Sequence, residues 1–318
     1  MADTLEGLLD KHPAIEKILA YRQLSKLCGT YIDGFLPLIG RDGRVRTSFD
    51  QTAAATGRIS SNEPNLQNIP VRTPLGREIR RAFVAREGCV LVDADYSQIE
   101  LRLLAHLSGD EKMIEAFRAG EDIHAHTAAQ VYGVAPEAVT GEMRSAAKAV
   151  NFGIVYGISD FGLARNIGVS RREAADFIDR YFARYPGVKR YMEKAVADGK
   201  ALGYSVTLFG RRRPLPELSS SNFNTRSFGE RAAMNTPVQG TAADIIKIAM
   251  VRVREQLLSR GLAAKLILQV HDELIVEAPV EEAEQAASLL KACMENAAQL
   301  SVPLTVDVNA GRSWYEAK

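Results

Sequence analysis

The run Cys89 to Leu107, CVLVDADYSQIELRLLAHL, changes character halfway, and no other stretch constrains the fold as strongly. Its opening is apolar without a break, as in a buried strand, whereas the remainder is apolar at helical spacing. Asp95 sits at the junction. A carboxylate there is held rigidly by the strand yet can face an open cleft, as a hard divalent cation requires. Asp93, two residues earlier, should point to the same side of the strand. Ser97 to Glu100 has the S-x-x-E form of a capping box, which gives Glu100 a purely structural reading, closing the first turn of the helix.

A second segment, Ala264 to Pro279 (AKLILQVHDELIVEAP), sets two apolar runs around His271, Asp272 and Glu273 and reads as a β-hairpin. Burying acidic groups between strands is costly without a compensating cation, so a metal site is one physical reason for their position. An ordinary hairpin with a polar turn is the other. A third segment, Met143 to Tyr156 (MRSAAKAVNFGIVY), places Arg144, Lys148, Phe152 and Tyr156 four residues apart. At about 3.6 residues per turn each step rotates by only about 40°, so the four predict one stripe along a helix. Two cations followed by two aromatics suit a nucleoside triphosphate, with phosphates on Arg144 and Lys148 and sugar and base on Phe152 and Tyr156. Alone, the stripe is better described as a basic amphipathic helix with an aromatic core face. The two acidic segments reverse that preference.

Together the three supply two carboxylates on separate strand elements and a cationic, aromatic helix, the equipment of two-metal phosphoryl transfer. In that chemistry one Mg²⁺ lowers the pKa of an attacking hydroxyl and another steadies the leaving pyrophosphate, with the ions roughly 3.5 to 4 Å apart.

The same residues form three ordered motifs. Asp95-Tyr96-Ser97-Gln98-Ile99-Glu100, Arg144-x-x-x-Lys148-x-x-x-Phe152-Gly153-x-x-Tyr156-Gly157 and His271-Asp272-Glu273 match motifs A, B and C of the family A DNA polymerases. Almost the whole chain resembles the polymerase region of the bacterial members. Further matches are Thr56-Gly57-Arg58, Pro64-Asn65-Leu66-Gln67-Asn68-Ile69-Pro70, Asp122-Ile123-His124 and Asn235-Thr236-Pro237-Val238-Gln239-Gly240.

The resemblance implies an α+β right-hand polymerase fold, with an antiparallel palm sheet, mainly helical fingers and most of the thumb missing. It implies template-directed addition of deoxynucleoside triphosphates to a primer 3′-OH, with pyrophosphate released. Asp95 and Asp272 would hold two Mg²⁺ ions, for which Mn²⁺ can substitute, and the backbone carbonyl of Tyr96 would add a ligand. Glu273 is expected beside them as an auxiliary catalytic group, and Asp93, outside the family motif, as a neighbour. Arg144, Lys148 and His124 fall to the triphosphate, and Gln98 joins the nucleotide-binding set. Lys148 is also the candidate general acid, since an ammonium neutralises pyrophosphate and can give it a proton. Glu100 would close the floor beneath C2′, where a ribose hydroxyl would collide with it, a role only partly compatible with capping. Phe152 stands where the family chooses between Phe and Tyr. Lacking a hydroxyl to replace a missing 3′-OH, it implies discrimination against dideoxynucleotides. Tyr156 would stack near the template base, while Gly153 and Gly157 either loosen the helix for closure over the nucleotide or merely permit close packing.

For DNA, Arg58, Asn235, Gln239 and His271 match family positions that touch the primer end or read the minor groove, whose acceptors all correct base pairs share. Asn65, Gln67, Asn68 and Arg72 are loop donors suited to backbone contacts. Arg77, Arg80, Arg81 and Arg211 to Arg213 either add phosphate affinity or solvate a face. The formal charge is only +1, so DNA affinity has to come from a basic cleft offset by acidic surfaces elsewhere. No run approaches transmembrane length, no signal peptide is evident, and Cys28, Cys89 and Cys293 lack zinc spacing. The expected setting is the bacterial cytoplasm, nucleoid-associated and away from any membrane, with a monomer working on primer-template DNA and deoxynucleoside triphosphates.

The motifs order the chain as a helical thumb remnant at 1–38, a first palm part at 39–108, fingers at 109–226 and a second palm part at 227–318. No room precedes Met1 for a 3′-5′ exonuclease, a 5′ nuclease or a full thumb, so weak, distributive, non-proofreading synthesis is expected. Ser145 replaces a basic residue common among relatives and Pro214 an aromatic; the first implies altered fidelity or nucleotide affinity. Two other readings compete. A single-subunit RNA polymerase shares the metal chemistry, and Glu100 argues against it. A catalytically impaired primer-template DNA-binding fragment is the other, and the intact catalytic set argues against that.

Overall fold

A computed structural model describes residues 4–5, 7–71 and 73–318; Arg72, one of the expected DNA contacts, lies outside them. The strands in chain order are β1 (Ser48–Asp50), β2 (Ser60–Asn62), β3 (Cys89–Tyr96), β4 (Tyr204–Val206), β5 (Arg212–Pro214), β6 (Lys265–Val270), β7 (Glu273–Pro279) and β8 (Val306–Gly311). Four of them form the main sheet in the order β6-β7-β3-β8, antiparallel throughout. β3 is a central strand, which is why its sequence is apolar without a break: both faces are covered. Val92, Ala94 and Tyr96 enter a large core shared with the helices. Cys89 and Leu91, pointing the other way, enter a smaller core around Trp314. There Tyr31, Phe35, Phe83 and Trp314 stack edge to face in succession, with centroids 5.7, 6.1 and 5.8 Å apart.

The helices are α1 (Ala14–Leu27), α2 (Pro74–Glu78), α3 (Ile99–Ser108), α4 (Glu111–Arg118), α5 (Ile123–Tyr132), α6 (Gly141–Val155), α7 (Asp160–Ile167), α8 (Arg171–Arg184), α9 (Pro186–Leu202), α10 (Phe223–Ser259) and α11 (Ala283–Glu295). The helical stretch expected near the start is present, but α1 gives way to a π-helical turn over Cys28–Asp33 and buries only Leu27. α10 runs through the boundary expected at 226/227, so one rod serves both sides of it. That continuity needs an explanation, because Pro237 lies inside the helix and leaves the carbonyl of Ala233 without its helical donor. Ser205, on β4, supplies the substitute: its hydroxyl donates to Ala233 O at 3.2 Å. The β4-β5 hairpin is further tied to α10 by Thr207, whose hydroxyl donates to Asp244 Oδ2 at 2.8 Å, and by an ion pair of 2.6 Å from Arg211 to Asp244.

α6 begins at Thr140, whose side chain accepts from Met143 N at 3.2 Å, and ends where Gly157 turns left-handed at φ 65°. Tyr156 therefore caps the helix, and the glycines do not loosen a continuing one. Gly153 serves close packing instead, since a Cβ there would lie 2.7 Å from Ile158 Cγ2.

Asp110 joins two helices. Its Oδ1 accepts from Met113 N to cap α4, and its Oδ2 accepts from Gly187 N, in the first turn of α9, at 2.8 Å. A Cβ on Gly187 would sit 2.9 Å from the Asp110 backbone. Gly187→Ala should therefore cost about 1–3 kcal/mol despite the better helix propensity of alanine. Urea denaturation followed by circular dichroism checks this; an unchanged or raised midpoint would show that α4 and α9 separate freely.

Candidate active site

Cross-strand register assembles the acidic centre. Asp95 lies directly opposite Glu273 on β7 and Asp307 on β8, so three carboxylates form a row across the sheet at the end of β3. The β6-β7 hairpin turns through His271 and Asp272, with His271 at φ 53°. Tyr96 N donates to Asp272 O at 3.2 Å, which draws the hairpin tip across the end of β3. Desolvation, then the negative charge of Asp95, pushes the Asp272 carboxyl up to about 7. Burial likewise raises Asp95, with Lys318 opposing the shift.

Lys318 is a partner that spacing could not reveal, 223 residues from Asp95 in the chain. Its Nζ donates to Asp95 Oδ2 and to Glu273 Oε2, each at 2.6 Å. Deeper in, Trp314 Nε1 donates to Glu273 Oε1 at 2.9 Å, and the Arg80 guanidinium lies 4.0 Å from the Trp314 ring centroid. Asp93 faces the same interior and is held protonated by burial and by Glu273. Arg80, expected as a phosphate or surface cation, is thus buried as a structural charge.

The residues fit a divalent cation. Asp95 Oδ1 is buried without a partner, beside a second desolvated carboxylate whose charge it repels. Among the described residues no three His, Cys, Asp or Glu side chains cage an ion by themselves. One or two carboxylates completed by substrate phosphates and water are what Mg²⁺ ordinarily takes.

Glu100 does not cap α3. The N-cap is Gln98, left-handed at φ 56°, whose carbonyl accepts from Leu101 N and Arg102 N at 3.1 Å, and no side-chain cap forms. Glu100 instead accepts from Arg58 Nη2 at 2.5 Å and from the Tyr156 hydroxyl at 2.7 Å, which links α3 to the end of α6. Burial first, then the Glu100 charge, keeps the Tyr156 phenol well above its ordinary pKa. Arg58, Glu100, Gln269, His271 and Asp272 line one small cleft.

On α6, Arg144 and Lys148 are exposed and Phe152 is half-buried. Arg144 Nε donates to Asp122 Oδ2 at 2.6 Å. The other oxygen of Asp122 accepts from His124 N at 2.9 Å and Ala125 N at 3.1 Å, capping α5. The His124 ring lies 5.7 Å from the Phe152 ring, centroid to centroid. Lys148 has no ion-pair partner among the described residues.

The DNA candidates divide. Asn235 and Gln239 are partly exposed on α10, with Asn235 Oδ1 unpartnered. His271 is exposed at the hairpin turn. Asn65 Oδ1 accepts from Gln67 N at 3.0 Å to cap a short 3₁₀ turn, and Gln67 Nε2 donates to Gln269 Oε1 at 3.0 Å. The Asn68 carbonyl accepts from the Tyr31 hydroxyl. Arg213 Nη1 donates to Thr236 Oγ1 at 3.2 Å. The side chains of Asn65 and Gln67, the Asn68 carbonyl, Arg211 and Arg213 are thus engaged within the protein, and Arg212 lies 4.9 Å from the Tyr204 ring centroid.

Comparison with known proteins gives this arrangement a family. The model of DNA polymerase family A matches residues 1–316. The chain is 56% identical to the DNA polymerase I of Geobacillus stearothermophilus over 319 residues, all of this chain and 36% of that protein. The thermostable DNA polymerase I of Thermus filiformis is 55% identical over 315 residues, 99% of this chain and 38% of that protein. The chain thus spans little more than a third of these relatives. Among solved structures, the POL domain of Pol1 from M. smegmatis, in complex with DNA primer-template and dNTP, superposes with a TM-score of 0.96 at 48% identity, covering 100% of this chain and 56% of that one. The α+β architecture is therefore that of a family A polymerase domain, and the chain belongs to DNA polymerase family A.

Proposed function

We propose that this chain catalyses template-directed DNA synthesis, extending a primer 3′-OH with deoxynucleoside triphosphates and releasing pyrophosphate. The observation that carries the reading is the juxtaposition of Asp95, at the end of β3, and Asp272, in the β6-β7 turn, two desolvated carboxylates at one end of the sheet. The names of the relatives support it, as does a structural neighbour that holds primer-template and dNTP.

In this reading Asp95, Asp272 and the Tyr96 carbonyl would hold two Mg²⁺ ions, which Mn²⁺ could replace. When bound, they would lower the pKa of the primer hydroxyl and stabilise charge on the leaving pyrophosphate. Glu273, anchored by Trp314 and Lys318, stays beside them as an auxiliary group. Arg144 and His124 bind the triphosphate, and Lys148 binds it and gives pyrophosphate its proton. Gln98 borders the nucleotide through the backbone turn that starts α3. Glu100, pinned by Arg58 and Tyr156, excludes a 2′-hydroxyl, while Phe152 packs on the sugar and disfavours dideoxynucleotides. Arg58, Asn235, Gln239 and His271 meet the primer end and minor groove; Asn65, Gln67 and Asn68 shape the adjoining loop and contact the DNA backbone there. The fingers are 109–226 and the palm parts 39–108 and 227–318, and the helix Ala14–Leu27 belongs to the thumb. The working form is a cytoplasmic monomer.

Extension of a labelled primer on a DNA template with Mg²⁺ and dNTPs tests this directly, and Asp272→Ala should abolish growth. No growth by folded wild-type protein that still binds primed DNA would favour a DNA-binding fragment. Glu100→Ala should raise rNTP incorporation relative to dNTP by roughly 10- to 200-fold, the scale of a lost steric exclusion. Equal selectivity in both proteins would remove Glu100 from sugar discrimination, and efficient rNTP use by the wild type would favour an RNA polymerase. Wild-type protein should also incorporate ddNTPs poorly, which competition against dNTPs on the same primer measures.

A further inference from the structure

The inner face of α6 carries Ala147, Val150 and Ile154 and, among these apolar groups, one amide, Asn151, which is 0% exposed. A fully buried amide is costly unless its groups are paired. Both ends of this one are paired, and both partners are on α5. Asn151 Nδ2 lies 3.0 Å from His124 Nδ1, and Asn151 Oδ1 accepts from the Thr127 hydroxyl at 3.2 Å. Thr127 is 1% exposed and His124 2%.

The pairing has a direction. With the Thr127 hydroxyl donating to Oδ1, the amide presents its NH₂ to the imidazole, so Nδ1 has to accept and the single proton of the neutral ring has to sit on Nε2. Asp122 at the start of α5 and Arg144 and Lys148 on α6 are the charged groups that face the ring. Burial is the largest influence on it and lowers its pKa to about 4, with the two cations adding to the effect and Asp122 opposing it. The ring is thus neutral at physiological pH. Its Nε2 has no protein partner among the described residues.

We infer that Asn151 is a positioning residue that locks His124 in the Nε2–H tautomer and fixes the orientation of its ring, so that His124 offers a neutral N–H donor beside Arg144 and Lys148. The usefulness of that donor rests on the triphosphate reading of His124 proposed above. Lys148 supplies charge as a rotatable point cation, and Arg144 shares its guanidinium with Asp122. A neutral N–H adds direction and stays unchanged over the working pH range.

Asn151→Asp replaces the donor facing Nδ1 with an acceptor, which calls for a proton on Nδ1. In histidine-labelled protein, long-range ¹H–¹⁵N correlation spectra report which nitrogen is protonated. At pH 7.5 the wild-type His124 should show the Nε2–H pattern, and Asn151→Asp should show Nδ1–H or an imidazolium titrating near neutrality. The KM for dNTP in that variant should rise about tenfold as pH passes upward through the new pKa, with kcat little changed, while the wild type shows no such step. Thr127→Val, which removes the hydroxyl that orients the amide and nearly preserves volume, should give mixed tautomers and covers the case in which Asn151→Asp fails to fold. An Nδ1–H wild type, or spectra unmoved in both variants, would overturn the inference. Tautomer shifts as expected alongside an unchanged dNTP KM in His124→Ala would uphold the role of Asn151 and count instead against the triphosphate reading.

Discussion

Negative charge gathered at the end of β3 governs the surroundings of the candidate site. Two like charges about 4 Å apart repel by about 4 kcal/mol at an effective dielectric near 20, so a sheet that lines up Glu273, Asp95 and Asp307 beside Asp272 needs compensation. The protein supplies it in three ways. Lys318 spans Asp95 and Glu273; Arg80 and Trp314 hold Glu273 from below; and Asp93 keeps its proton. These partners act on Glu273 and Asp93 and on one oxygen of Asp95. The other oxygen of Asp95 is buried without a partner, and the Asp272 carboxyl stays raised although Lys318 opposes the shift, so the balance of charge leaves room for a cation at those two groups.

The helical half of the molecule is tied to this end of the sheet by few polar contacts. α10 is common to both parts, and the β4-β5 hairpin is fastened to it through Ser205, Thr207 and Arg211. α6 reaches the sheet side through a hydrogen bond from Tyr156 to Glu100, made by a side chain that is 39% exposed at a helix end. A net contribution of about 1.5–3 kcal/mol is typical for a hydrogen bond to a charged acceptor. That is enough to set the resting position of the end of α6 and small enough for substrate binding to replace it.

Local pattern carried the strand-to-helix run, the hairpin and α6, because each is fixed by periodicity within a single segment. The Ser97 to Glu100 pattern misled because the backbone turns left-handed at Gln98, which moves the start of α3 and frees Glu100 for Arg58 and Tyr156. The hydroxyl that takes up the Ala233 carbonyl freed by Pro237 comes from Ser205 on a distant hairpin, which no local pattern announces. Lys318 and Trp314 were invisible and Arg80 was misplaced on the surface for the same reason: each acts across the sheet, and nothing in their own neighbourhoods marks that role. The paired residues of motifs A and C were legible as a chemical set, whereas their placement opposite one another depends on β7 pairing with β3 in a register that only the folded sheet displays.

Cations separate most clearly when their partners are counted. Arg211 and Lys148 look alike in sequence, each a basic residue close to other basic residues. Arg211 places two nitrogens on Asp244, which is 7% exposed, and removing Arg211 would leave that buried carboxylate without its ion-pair partner and with only the Thr207 hydroxyl as a side-chain hydrogen-bond donor. Lys148 has no such obligation among the described residues, so the fold gains little from its charge. A cation held on an exposed helix face without an internal partner is available to an anionic ligand at no cost in broken ion pairs. Arg144 is intermediate, since an incoming phosphate has to compete with Asp122 for its guanidinium. Among the amides, Gln67 is committed to Gln269 and is the weaker candidate for DNA, whereas Asn235 has no side-chain partner among the described residues, and its NH₂, not its buried carbonyl oxygen, is the group that can meet a minor-groove acceptor.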